Sequence, residues 1–152
     1  MAMVEIVIGS KSDTEMIKPA LDMLRQLSIE YKVSIISAHR HPEKLRKYGI
    51  EVANRGVEVI IAAAGGAAHL PGVLASWTTI PVIGVPLPVG DMNGIDALLS
   101  ITQMPAGVPV ACTGIGESGV KNAALLAAQI LGLKHEQIKT SYIQYRENLS
   151  GD

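Results

Sequence analysis

Residues 57–69 read VEVIIAAAGGAAH, an apolar run that stops abruptly at two glycines, two more alanines and a histidine. A short, nearly unbroken apolar run suits a strand covered on both faces, and the glycines suit a tight exit from it into a helix. The same grammar recurs along the chain. Segments 4–9, 31–37, 81–85 and 109–113 are also short and mostly apolar, and stretches of helical spacing separate them. Alternation of this kind predicts repeated βαβ units. The expected fold is therefore α/β: five parallel strands at 4–9, 31–37, 57–63, 81–85 and 109–113 in one central sheet, with residues 1–152 forming a single domain.

The intervening helices follow from spacing and punctuation. The first is expected over 13–27, with Met16, Ala20, Leu24 and Leu27 inward and Asp13 or Ser12 as N-cap. Pro19 should bend it near its first turns, unless the helix starts later. A second opens at Pro42 and stops before Gly56, a third follows His69, a fourth covers about 94–102 and a fifth 120–131. Beyond Gly132 an extra C-terminal helix places Ile138, Tyr142, Tyr145 and Leu149 on one face. With the sheet already covered, that face is free to pack on a neighbouring subunit.

Composition narrows the function classes. Lys and Arg number 13 against 14 Asp and Glu, and the positive residues are scattered, so nucleic acid is not an expected partner. The N-terminus lacks a signal-peptide pattern and the longest apolar run, 59–68, is far short of a membrane span, which leads to an expectation of a soluble, cytoplasmic protein without membrane contact. The single cysteine, Cys112, fits a reducing compartment and a packing role. Hydrophobic residues make up 48% and charged ones 18%, below the roughly 25% usual in soluble domains. A homo-oligomer is expected to cover the excess apolar surface.

Ligands of open parallel sheets sit at the carboxyl ends of the strands, where free helix amides point outward. At the first end, GSKSD (9–13) offers the hydroxyls of Ser10 and Ser12, suited to a phosphate or carboxylate, and Asp13, which would accept from ribose hydroxyls. At the second, SAHRHP (37–42) supplies Arg40, a planar fork matched to phosphate oxygens, with Ser37 as a further donor. His39 beside it can take up and return a proton near neutral pH, an acid/base role. At the third, Gly65, Gly66 and Ala67 permit close backbone approach to a small planar group, with amides for a carboxylate or carbon dioxide, and His69 closes the loop. Each feature alone also has a structural reading, as a helix start, a tight turn or a cap; their convergence favours a site. Loop 86–94 is a candidate lid. His39, His41 and His69 lack companion carboxylates or cysteines for a metal site, and no phosphate-loop or dinucleotide fingerprint is present, so neither metal nor cofactor is expected.

Together GSKSD, SAHRHPEKL (37–45), AGGAAHLPG (64–72), PVIGVP (81–86), LLSITQMPAGVPV (98–110) and KNAALLAAQILG (121–132) resemble, in order and spacing, the 5-(carboxyamino)imidazole ribonucleotide mutase, or PurE, family, from about Val4 to Leu131. The resemblance implies a three-layer flavodoxin-like fold, a homo-octamer and an isomerase of purine biosynthesis that moves a carboxylate from the exocyclic nitrogen to C4 of a phosphorylated aminoimidazole ribonucleotide. It implies no metal, biotin or ATP. By the same resemblance His39 is the acid/base, Ser10, Asp13 and Arg40 bind substrate, and Ser37 and His69 line the pocket. The chain departs from the family's usual pattern at His41, Ala63 and Ala97.

Two other readings compete. The related direct carboxylase uses free carbon dioxide, but that branch resembles this chain less, because Arg40 rather than Lys follows His39 and the glycine-alanine loop is complete. A non-catalytic nucleotide or flavin-binding module would use the same sheet edge. The absence of Phe and the placement of Trp77, the only tryptophan, on an expected helix argue against flavin.

Overall fold

A computed structural model describes residues 3–151. Its five strands, β1 (Val4–Ile8), β2 (Tyr31–Ile35), β3 (Val59–Ala64), β4 (Val82–Pro86) and β5 (Ala111–Cys112), form one parallel sheet in the order β2-β1-β3-β4-β5. This is the flavodoxin-like order. Helices α1 (Lys18–Gln26) and α5 (Glu117–Gly132) cover one face; α2 (Pro42–Glu51), α3 (Leu70–Trp77) and α4 (Ile95–Thr102) cover the other. Alternate residues of a strand face opposite sides. Thus Ile6, Ile8 and Ile61 enter the α1/α5 core, whereas Val7, Ile60 and Ala62 enter the α2/α3/α4 core. No helix among the described residues is long and apolar enough to cross a membrane.

Several boundaries differ from the sequence expectation. The helix expected over 13–27 begins only at Lys18, so Pro19 falls in its first turn, where the missing N–H has no helical partner to lose. Ahead of it, Lys11–Asp13 makes one 3-10 turn whose N-cap is Ser10, not Ser12 or Asp13. β5 shrinks to two residues, since Pro109 has no amide for a ladder. β2 is an edge strand and half-exposed rather than covered on both faces. α5 starts three residues before its expected position.

The last helix, α6 (Glu136–Ser150), turns back on its own chain. Ile138 is buried in the α1/α5 core and Tyr142 and Tyr145 pack against it, so this face is used internally, leaving Leu149 exposed. The turn before α6 is tied to the sheet by Glu58, which accepts from Lys134 Nζ at 3.0 Å and from His135 Nε2 at 2.7 Å. Partial burial raises the Glu58 carboxyl, but these two hydrogen bonds and the accompanying charge outweigh it and hold it below its ordinary range. A carboxyl depressed on folding stabilises above its unfolded pKa and loses that contribution as pH falls through the folded value. Glu58→Gln should therefore lower stability by about 1 kcal/mol or less near neutral pH, Lys134 being largely exposed. Thermal unfolding should show the two proteins converging as pH drops below the carboxylate range; a gap that persists there contradicts the assignment.

Parallel pairing in register brings the strand ends to one edge. Val4 pairs with Tyr31 on one side and Val59 on the other, so the turns leaving β1, β2 and β3 emerge side by side. The strand order reverses between β1 and β3, and the crevice there is where such folds take ligands.

Candidate active site

A cavity of about 370 Å³ opens at this edge, within the size range of small-ligand pockets. The β1 turn contributes Gly9, Ser10 and Asp13, the β2 turn Ser37 through Arg40, and the β3 turn Ala64, Gly65, Ala68, His69 and Leu70. Larger grooves of about 800 Å³, at the amino end of β4, and about 690 Å³, along α5 and α6, contain no histidine. Of these three, the smallest brings two histidines together with an arginine and an aspartate.

In the β1 turn the Ser10 hydroxyl accepts from Ser12 N at 3.3 Å and Ser12 Oγ at 2.9 Å, leaving its own proton available. Burial pushes the Asp13 carboxyl above its usual range, opposed by a hydrogen bond from the Ser10 backbone. A partly desolvated carboxylate with one backbone donor has room for more donors, such as vicinal hydroxyls. In the β2 turn Ser37 is nearly buried, and its hydroxyl accepts from Arg40 N at 3.2 Å and Nε at 3.3 Å. Arg40 also donates from a terminal nitrogen to Gly9 O at 3.2 Å, so its guanidinium spans the ends of β1 and β2 while the rest of the fork stays open. Ser37 thus braces Arg40.

His39 Nε2 lies 2.6 Å from His69 Nδ1, with the rings nearly perpendicular at 79°. His69 occupies the N-cap position of α3 without making a side-chain cap, so its ring is spent on His39 instead. Two neutral imidazoles at this distance share one proton between the facing nitrogens, which leaves one outer nitrogen protonated and the other bare, a donor and an acceptor at once. His41 is the exposed N-cap residue of α2, makes no cap bond and does not line the cavity.

The expected site residues divide accordingly. Ser10, Asp13, Ser37, His39, Arg40, Gly65 and His69 share the cavity, while Ser12, Gly66 and Ala67 do not line it. Gly9, Ala38, Ala64, Ala68 and Leu70 line it without having been singled out as site residues; as small or apolar neighbours of chemically marked residues they carry no signal of their own. Loop 86–94 rests on the β3 turn: Leu87 is fully buried and Val89 sits over Gly65. Of the departures from the family pattern, Ala63 and Ala97 are fully buried in the core.

Comparisons with known proteins follow the same outline. Residues 3–152 match the family described as AIR carboxylase. A protein of Saccharolobus solfataricus named N5-carboxyaminoimidazole ribonucleotide mutase is 51% identical over all of this chain and 95% of its own length. A Pseudomonas aeruginosa protein of the same name is 53% identical over 97% of this chain and 90% of its own. The crystal structure of Treponema denticola PurE superposes with a TM-score of 0.88 at 30% identity, covering 99% of this chain and 92% of that one.

Proposed function

This chain belongs to the AIR carboxylase family, and from that premise we propose that it isomerises N5-carboxyaminoimidazole ribonucleotide to the C4-carboxylated aminoimidazole ribonucleotide, with His39 as acid/base, in purine biosynthesis. The observation that carries the chemistry is the 2.6 Å contact between His39 and His69 in a cavity that also holds Arg40 and Asp13.

The reaction breaks the bond between the exocyclic nitrogen and the carboxylate and gives that nitrogen a proton. Carbon dioxide is released within the cavity, C4 bonds to it, and C4 then loses its own proton. Nothing is oxidised or reduced and the proton count closes, so one histidine that gives and later receives a proton suffices. The pair with His69 supplies the required donor and acceptor without bulk water. Arg40 receives the phosphate, Asp13 the ribose hydroxyls, and Ser10, Ser12 and Ser37 complete or brace these contacts. Gly65 and Ala68 form the small wall against which carbon dioxide is retained, with Gly66 and Ala67 completing the turn that carries it; close confinement is what makes recapture faster than escape.

We infer further that residues 1–152 act as one catalytic domain, that the protein works in the cytoplasm without a cofactor, and that it assembles as a homo-octamer. The assembly reading is supported by large apolar side chains left exposed on α4 and its approach, Met92, Ile95 and Leu99.

The test is to supply purified protein with N5-carboxyaminoimidazole ribonucleotide, without bicarbonate, and follow the C4-carboxylated product. Product should form at a rate proportional to enzyme. Product only from aminoimidazole ribonucleotide plus bicarbonate would replace the mutase with a direct carboxylase, and neither reaction would leave a binding module.

A further inference from the structure

The turn between β3 and α3 is held in a conformation it would not keep unaided. Gly66 has φ 62°, as glycine allows, but Ala68 has φ 48°, in the left-handed region that a residue with a Cβ disfavours. Such a residue persists only where its surroundings over-determine it. Part of that restraint is the Ala68 amide, which donates to Gly65 O at 3.1 Å, and part is burial of the Ala68 methyl in the core that includes Ala97 and Ile101 of α4. The remaining restraint comes from α4 itself: the Ser100 hydroxyl donates to the carbonyl of Ala67, across 33 residues. Gly65, Ala68 and His69 line the cavity while Ala67 and Ser100 do not, so Ser100 holds the turn through a residue outside the lining.

Resting on the mutase reading above, we propose that Ser100 is a positioning residue for recapture of carbon dioxide. Its bond fixes the peptide plane between Ala67 and Ala68. Without it, that plane is free to turn and Ala68 to leave the left-handed region. Both consequences reach the chemistry: the wall provided by Gly65 and Ala68 loosens, and His69, the next residue, shifts relative to His39. Cleavage of the nitrogen–carboxylate bond would still occur, with the nitrogen taking its proton, but carbon dioxide would more often depart to solvent before C4 bonds to it. The products of that failure are aminoimidazole ribonucleotide and free carbon dioxide; C4 keeps its proton, so the one given to the nitrogen is replaced from solvent water, and the balance closes with no other reactant.

The experiment measures product formed per substrate consumed, with spontaneous loss of carboxylate in enzyme-free controls subtracted. This ratio does not depend on the amount of folded enzyme, so a merely destabilised variant would leave it unchanged. Ser100 is half-exposed on α4 and Ala is the better helix former, so Ser100→Ala should fold. Its kcat should fall about tenfold, a modest misplacement, with released aminoimidazole ribonucleotide a main product. Ser100→Thr, which keeps the hydroxyl, should restore the ratio. An unchanged ratio in Ser100→Ala, or a Thr variant as uncoupled as the Ala variant, overturns the proposal while wild-type turnover leaves the mutase reading intact. A wild type that does not turn over the carboxyamino substrate removes both.

Discussion

His39→Asn is expected to lower kcat about a thousandfold while leaving substrate affinity within a few-fold of wild type, the scale on which general acid–base groups act. The asparagine amide can still hydrogen-bond near His69 Nδ1, so the second and third strand ends should stay together. What it cannot do is exchange a proton near neutral pH. Arg40 is tied to Ser37 and Gly9 by its own bonds, none of which involves the His39 side chain, so the phosphate contact should survive. Steady-state kinetics together with calorimetric titration of substrate onto the variant separates the two effects. Retention of more than a tenth of wild-type kcat would remove His39 from the proton transfers and move attention to His69.

The placement of this pair shows where sequence reasoning reaches and where it stops. His39 and His69 each follow a recognisable strand, and a parallel sheet brings strand ends to one edge, so their shared neighbourhood was legible. Their contact was not: it depends on β2 and β3 both lying against β1 in register, a non-local fact. Glu5 is similar. A charge inside the apolar run 4–9 signals a partner, but nothing local names Arg55, which meets it at 3.0 Å. At the first helix the apolar spacing extended the element too far towards the N-terminus, whereas Pro19 left open the later start that the structure shows at Lys18. The C-terminal helix carried the right apolar face and the wrong destination, because periodicity reports that a face is buried and not against what. Ser100 was passed over for the same reason. A lone hydroxyl in an apolar helix is ordinary until the carbonyl it meets is known.

Gly65→Ala tests the wall of the cavity directly and should cost about a hundredfold in kcat/KM, the scale of an ångström-sized displacement at a reacting centre. A methyl at this position would lie 1.9 Å from Val89 Cγ2, 3.2 Å from Val89 Cβ and 3.3 Å from the Leu87 carbonyl oxygen. Val89 is β-branched and stiff at χ1, so rotation offers little relief. Nor can its backbone simply retreat: Val89 N donates to Leu87 O at 2.9 Å, Leu87 N donates to Ala64 O at 2.9 Å, and the Leu87 side chain is fully buried. The strain must go either into lifting loop 86–94 or into pushing the β3 turn towards the ligand. Either movement enlarges or deforms the space meant for one carbon dioxide molecule. Overpacking of this kind should also lower stability by about 1–3 kcal/mol, measurable as a lower thermal midpoint. Gly114→Ala provides the contrast, since a methyl there meets nothing within 4 Å and Gly114 does not line the cavity. If Gly65→Ala keeps wild-type kcat/KM, or Gly114→Ala loses as much, the close seating of Val89 on Gly65 is not what confines the reaction.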